Sequence, residues 1–184
     1  SLSCLLFCLD GHKRMRCFFP ILTTVMLLMA SPSHGEAQHW RGQMPELVGQ
    51  GTLSVFFMDI YLLKLYSQDG TFSLNRDFVV EFTYKRPVSK DVIIEASLDE
   101  MKKAGGADEA QLASWRDKLD SALIDMEADE TASVIFLEEG IITFVSPNNP
   151  AVSFQDPSFR NSFALIWLRD KTSHPSLRKK LLGK

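Results

Sequence analysis

Cysteine is nearly absent from this 184-residue chain, and where it occurs it is confined to the beginning. The three cysteines are Cys4, Cys8 and Cys17, so residues 18–184 contain none. No disulfide can form within that stretch, and it offers neither a thiol nucleophile nor a thiolate ligand for a metal ion. A domain made from it must be held together by its hydrophobic core.

Other residues that carry chemistry are also scarce. Beyond residue 37 the histidines are His39 and His174, and neither has a second histidine at the spacing of metal ligands. The sequence contains no zinc, calcium or phosphate-loop motif and no serine in a nucleophile elbow. Gly49-Gln50-Gly51 lacks the rest of a phosphate-binding fingerprint. We therefore predict no metal site and no cofactor, and no pair of carboxylates stands out as catalytic.

Basic charge is in slight deficit, with 20 Lys and Arg residues against 23 Asp and Glu residues and a formal net charge of −3. Nucleic-acid binding depends on basic surface, so nucleic acid is not an expected partner. The cluster Arg178-Lys179-Lys180 is expected in the last turn of a helix, where it complements the helix dipole. A patch for anionic lipid is the alternative interpretation of this cluster.

The first 37 residues have the organisation of a secretory signal. A basic cluster precedes the uncharged run 17–30, and small or turn-forming residues follow it; the cluster comprises His12, Lys13, Arg14 and Arg16. A membrane span needs about 20 apolar residues, and this run is shorter. We predict a signal peptide over residues 1–37, with Met15 as an alternative start and cleavage after Gly35 or Ala37. The mature domain, 38–184, has no second apolar run long enough to span a bilayer.

The mature region alternates between strand-like and helix-like patterns. Runs of β-branched and aromatic residues predict strands at 47–57, 60–67 (after a break at Asp59), 78–84, 131–137, 141–145 and 151–154. Capping residues and apolar spacing predict helices from Ser89 to about Lys103, after the capping box Asp108/Gln111, from Asp156-Pro157 through Trp167, and after Thr172 or Ser173. Because strands do not alternate singly with helices, we predict an α+β domain with helices packed on an antiparallel sheet.

Aromatic residues give the strongest functional signal. The predicted strands carry Phe56, Phe57, Tyr61, Tyr66, Phe82 and Tyr84, and a late helix carries Phe159, Phe163 and Trp167. Such rows usually bury against one another, so a core between sheet and helices is the simpler interpretation. The alternative is an apolar ligand-binding cleft bordered by Phe163 and Trp167, with polar groups from Tyr61, Thr83 or Tyr84.

Several motifs occur in the order found in a known family. They are the stretch 47–61 (LVGQGTLSVFFMDIY), Phe82-Thr83-Tyr84, Asp99-Glu100-Met101, Trp115, Asp156-Pro157-Ser158-Phe159 and the closing run from Ile166-Trp167-Leu168 to Gly183. Together they resemble the exported bacterial chalcone isomerase-like proteins over nearly the whole of residues 38–184. The resemblance implies an open-faced β-sandwich, with a long antiparallel sheet, a layer of helices on one face and a small extra sheet. It also implies a periplasmic location.

The resemblance further implies a cleft whose catalytic set has changed. In plant chalcone isomerases an Arg holds an anionic oxygen, and Thr and Tyr groups polarise a ketone; related plant proteins keep the Arg but bind fatty acids. Ungapped matching places Phe56 at the Thr position and Met44 at the Arg position. An enolate would then lack both a bidentate guanidinium and a hydroxyl donor.

The main hypothesis is therefore a non-catalytic domain that binds a small apolar or fatty-acyl ligand between sheet and helices. A second hypothesis is a cofactor-free isomerase or lyase that uses Tyr61, Thr83 or Tyr84 as donors. A third is a structural or partner-binding envelope protein, which predicts a filled core and an exposed apolar patch.

Overall fold

The computed structural model describes residues 45–184. The predicted signal peptide, Met15, the cleavage positions, the three cysteines, His39 and Met44 lie outside the described residues.

Six strands form one antiparallel sheet in which every strand pairs with its neighbours along the chain. They are β1 (Glu46–Val55), β2 (Met58–Ser67), β3 (Phe78–Tyr84), β4 (Thr131–Phe136), β5 (Ile141–Val145) and β6 (Val152–Gln155). The two helices between β3 and β4 do not interrupt this order, because β4 returns to pair with β3. The predicted antiparallel α+β architecture is confirmed. Within residues 45–184 the strands form this sheet alone, so the small extra sheet is not found there.

Four helices follow the predicted positions closely: α1 (Lys90–Ala104), α2 (Glu109–Ala122), α3 (Pro157–Leu168) and α4 (Pro175–Leu181). The capping box of Asp108 and Gln111 is confirmed, with Asp108 Oδ1 accepting from Gln111 N at 2.8 Å. The cap of α4 was predicted wrongly: His174 is the N-cap residue. Thr172 Oγ1 instead donates to the carbonyl oxygen of Ile166 at 2.8 Å, and Ser173 Oγ donates to the Glu100 carboxylate.

The two faces of the sheet have different environments because successive side chains along a strand point to opposite sides. On the helix side, α3 presents an aromatic stripe, defined here as Phe159, Phe163 and Trp167. Phe163 packs against Phe144 of β5 with ring centroids 5.3 Å apart, and Trp167 packs against Phe82 of β3 at 5.2 Å. The opposite face carries polar pairs such as Lys64 and Glu81, whose Nζ and Oε1 lie 2.9 Å apart.

The turn between β1 and β2 differs from the sequence-based prediction. Phe56 and Phe57 form a two-residue turn with φ values of 49° and 64°, as in a type I′ turn. Both were expected in a buried strand, yet Phe56 is 87% exposed and Phe57 fully exposed. The expected break at Asp59 was also wrong: Asp59 lies within β2 and accepts from Ser54 Oγ across the turn at 2.6 Å.

Two glycines let α4 lie directly against β1. A Cβ on Gly49 would come within 2.2 Å of the Lys180 carbonyl oxygen and 2.7 Å of that of Leu181. A Cβ on Gly51 would meet the end of a side chain instead, Leu177 Cδ1, at 2.8 Å. The backbone of β1 therefore sets how closely the last helix approaches, and Leu177 and Leu181 become buried.

We predict that Gly49→Ala lowers the unfolding free energy by about 2 kcal/mol and the melting temperature by about 4–8 °C. A glycine-to-alanine change at an open strand position is normally stabilising. A loss of stability at position 49 would therefore result from steric overlap of the new Cβ with the backbone of α4. Gly51→Ala is the matched control and should cost less, because the Leu177 side chain can rotate. Equal effects of the two substitutions in thermal and urea unfolding would contradict the close approach at Gly49.

Candidate functional site

A cleft of about 460 Å³ lies between the helix side of the sheet and helices α1 and α3. Helix α1 contacts α2 and α3 and contributes Val92, Ile93 and Ala96 to the lining. Most of the lining is apolar, with β1 contributing Leu53 and Val55; the remaining apolar wall includes Ile60, Phe82, Ile93, Leu123, Ala132, Val134, Phe144, Phe163 and Ile166. A cavity of this size and lining falls in the range of small-molecule sites, about 300–1,000 Å³.

Tyr61 and Trp167 join the sheet to α3 at the cleft. Trp167 Nε1 donates a hydrogen bond to the Tyr61 hydroxyl at 3.0 Å. The Tyr61 ring meets the rings of Phe82 and Tyr84 edge-on, with centroids 5.4 Å and 5.8 Å away. Burial of the hydroxyl raises the pKa of Tyr61 well above its usual range, and the hydrogen bond from Trp167 offsets this only in part. The group therefore stays a neutral phenol at physiological pH.

Tyr84 lies directly opposite Tyr61 in the β2–β3 register and also lines the cleft. Its side chain is buried, which raises the pKa of its hydroxyl far above the usual value. Burial is the sole cause of this shift in pKa, and no hydrogen bond from another group in residues 45–184 contributes to it. Tyr84 is thus the phenol that can donate to a ligand without breaking an existing bond.

Glu100 borders the cleft, but its carboxylate is already hydrogen-bonded to neighbouring side chains. Its carboxylate accepts from Arg169 Nη2 at 2.8 Å, from Ser173 Oγ at 2.8 Å and from Lys103 Nζ at 2.9 Å. Burial alone would raise the pKa of Glu100, but these hydrogen bonds outweigh it and lower the pKa. Nearby His174 has its pKa lowered by burial, with Glu100 opposing the shift, so its imidazole is neutral at pH 7. Glu100 is therefore a weak proton acceptor.

Arg86 is the cation that lines the cleft. Its Nη1 lies 2.9 Å from the thioether sulfur of Met58, and no acidic side chain in the described part of the chain pairs with it. Arg160, by contrast, is buried in α3 and donates to loop carbonyl oxygens, those of Leu74, Arg76 and Leu137. Arg169 is held by Glu100. Sequence reasoning missed Arg86, since only the fold brings the end of β3 to the cleft.

The residues predicted to bind a ligand are only partly brought together. Tyr61, Tyr84, Phe163 and Trp167 line the cleft. Thr83 does not, because neighbouring residues on a strand face opposite ways; its hydroxyl lies 3.2 Å from that of Thr131 on the other face of the sheet.

Phe56 was also misplaced by ungapped matching. It occupies the exposed turn and cannot stand where a cleft hydroxyl would, and β1 supplies Leu53 and Val55 to the cleft instead. Both are apolar, so the strand brings no hydroxyl donor into the cleft.

Residues 45–184 hold no cluster of three or more His, Cys, Asp and Glu residues arranged for a metal ion.

None of the helices in the same range combines the length and the apolar character needed to cross a membrane.

Comparisons with known proteins agree on the fold. The sequence model of a family described as chalcone isomerase-like matches residues 33–183. A search of curated proteins found no match. Among solved structures, the Arabidopsis thaliana fatty-acid binding protein AtFAP1 is similar, with a TM-score of 0.58 and 12% sequence identity over 75% of this chain and 86% of that one. At this identity the likeness concerns the fold.

We predict that the three tyrosines of the native protein stay protonated at pH values where those of the unfolded protein ionise. Burial raises the pKa values of Tyr61, Tyr66 and Tyr84, whereas an unperturbed tyrosine titrates near 10. Folding thus favours the neutral phenols, and this stability is complete below about pH 10 and lost as pH rises through the folded-state pKa values. Tyrosinate absorbance in native buffer and in urea measures this. Native ionisation of all three near pH 10 would contradict the burial of these hydroxyls.

Proposed function

The chain belongs to the chalcone isomerase-like family, and on that premise we propose that it binds a fatty acid or a similar acyl ligand in the cleft without catalysing a reaction. The observation that carries the proposal is the cleft of about 460 Å³ beside Tyr61 and Trp167, with its largely apolar lining. A side-chain-filled core would have favoured a purely structural role.

The lining suits a hydrocarbon chain. Burial of each methylene group contributes about 0.8 kcal/mol, so an acyl chain gains affinity with every carbon that the cleft encloses. Phe82, Phe144, Phe163 and Trp167 supply broad apolar contact area. The fatty-acid binding protein of the same fold adds support for this ligand class.

The carboxylate end of such a ligand has a suitable partner in Arg86. Its guanidinium faces a thioether, a weak acceptor, and a carboxylate would replace that contact with charge-assisted hydrogen bonds. The Tyr84 hydroxyl is a second available donor on the same strand end. We infer that the acyl chain lies inside the cleft and the carboxylate near Arg86.

The same groups are poorly suited to acid–base chemistry. A general base works best with a pKa near the operating pH, whereas both cleft phenols titrate far above it. Glu100 is ion-paired and weakly basic. Histidine has the ordinary pKa closest to neutral pH, but burial lowers the pKa of His174, and its side chain makes no capping hydrogen bond at the start of α4.

A cofactor-free isomerase is the alternative function, and one observation favours it: the rings of Tyr61 and Tyr84 converge in the cleft. Two neutral phenols can stabilise a developing enolate by hydrogen bonding. Turnover of chalcones by the purified protein, abolished by Tyr84→Phe, would establish this alternative. We expect no turnover above background.

Export to the bacterial periplasm is also part of the proposal. It rests on the basic cluster before the uncharged run 17–30 and on the small residues up to Ala37. N-terminal sequencing of the protein from a periplasmic fraction tests it. A protein that stays in the cytoplasm with residues 17–30 intact would refute export.

We predict that filling the cleft abolishes ligand binding. Ala132 on β4 lines the cleft, so Ala132→Phe places a ring in the space of the acyl chain. Ala113→Phe is the matched control, because Ala113 is exposed on α2. Calorimetric titration with palmitate should show binding by the wild type and Ala113→Phe and at least a tenfold loss for Ala132→Phe. Equal affinity of all three folded proteins would place the ligand elsewhere.

We predict that Arg86→Gln weakens binding of palmitate by about tenfold while leaving the affinity for hexadecanol nearly unchanged, because only the acid carries a charge for the guanidinium. Arg116→Gln removes the same charge from an exposed ion pair with Glu95, 2.6 Å long, and serves as the control. A parallel loss for acid and alcohol would mean that Arg86 shapes the cleft and does not hold the carboxylate.

A further inference from the structure

The β1–β2 turn exposes an unusual set of side chains. Four consecutive apolar residues, Val55 to Met58, occupy the tip of the hairpin and are all exposed. We call these four residues the hairpin tip. A fifth exposed apolar side chain, Val92 in the first turn of α1, lines the same cleft as Val55. Scattered surface hydrophobics are ordinary, but a run of four at a protruding turn is not.

The backbone conformation of the turn is unfavourable for phenylalanine. Both central residues have positive φ, a region that Asn and Gly occupy far more readily than side chains with bulky rings. Asn-Gly would suit this turn better for both stability and solubility. Phe56 and Phe57 therefore oppose the local conformational preference, and strained residues of this kind point to a function.

The hairpin tip is continuous with the cleft. Val55 belongs to both, and Arg86, which lines the cleft, lies against Met58 of the tip. Lys85 is exposed beside Arg86, and the β2–β3 ladder places it next to the start of β2, where Lys85 N donates to Ile60 O. Among the nearby acids, Asp59 is hydrogen-bonded to Ser54, and Asp129 and Glu130 are hydrogen-bonded through their backbone to Tyr84. The tip thus combines apolar side chains with two cations at the edge of the proposed binding site.

These features favour a lipid bilayer over a protein partner. A stable protein interface uses about 20–30 residues on each side, and the tip offers a handful on a convex turn. A convex wedge of aromatic side chains flanked by Lys and Arg matches the way interfacial segments enter the headgroup region of anionic membranes. We propose that the hairpin tip inserts into the surface of an anionic bilayer and holds the cleft beside the lipid. This goes beyond ligand binding and can be tested apart from it.

The position of insertion is tested with a tryptophan at the tip. Phe57→Trp keeps the residue aromatic and adds a reporter, and Leu47→Trp puts the same reporter at an exposed site at the far end of β1. Vesicles contain equal parts of phosphatidylcholine and phosphatidylglycerol, with brominated acyl chains as quenchers. We expect the added emission of Phe57→Trp to shift to the blue and be quenched, and that of Leu47→Trp to be unaffected. Quenching of neither reporter, or of both equally, would overturn the proposal.

The contribution of the tip is tested with Phe56→Asn/Phe57→Gly, which removes both rings and supplies the residues that this turn prefers. We expect a melting temperature no lower than that of the wild type and unchanged palmitate affinity. Partitioning onto the mixed vesicles should fall about tenfold or more. Leu47→Thr, an exposed apolar residue outside the tip, should leave partitioning unchanged.

Two further outcomes count against the proposal. Unchanged partitioning of the double variant would mean that the rings do not contact lipid. A wild type that dimerises through the tip, becomes monomeric in the double variant and ignores vesicles would assign the tip to self-association. A failure of palmitate binding in every variant would refute the proposed function and leave the vesicle result standing.

Discussion

The aromatic stripe of α3 is the constraint on which the rest of the structure depends. Phe159, Phe163 and Trp167 are spaced four residues apart, so they form one face of the helix. Phe159 and Phe163 pack on Phe144 of β5. Trp167 packs on Phe82 of β3 and donates a hydrogen bond to the hydroxyl of Tyr61 on β2. This row fixes both the position of α3 over the sheet and the end of the cleft.

The cleft follows from how the other helices are held. Gly49 and Gly51 allow α4 to lie directly against β1. The ion pair between Arg169 and Glu100 connects the end of α3 to α1. Helix α1 contacts α2 and α3, and Val92, Ile93 and Ala96 in its first half line the cleft. Apolar side chains that would otherwise bury against a helix line that space. The lining is mostly apolar. Its polar groups come from the two phenols, Arg86, Glu100, His174 and four serines, Ser89, Ser97, Ser133 and Ser146.

Much of the fold could be predicted from local chemistry. The strand at Phe78–Tyr84 and the capped starts of α2 and α3 follow from alternation and capping residues, which act over a few positions. The turn at Phe56-Phe57 could not be, since these residues oppose its positive φ values. Tyr61, Tyr84, Phe163 and Trp167, which the aromatic pattern singled out, line the cleft. Thr83 does not, because strand alternation places it on the opposite face of the sheet, and the position of Arg86 at the cleft depends on tertiary structure alone.

The central claim is that the space beside Tyr61 and Trp167 holds an acyl chain. A crystal structure of the protein with a fatty acid brominated at its terminal carbon tests this most directly, because anomalous scattering locates the bromine. We expect the bromine within the cleft, among Phe144, Phe163 and Val134, with the carboxylate near Arg86. A bromine outside the cleft, or a cleft closed by its own side chains in the presence of saturating ligand, would contradict it.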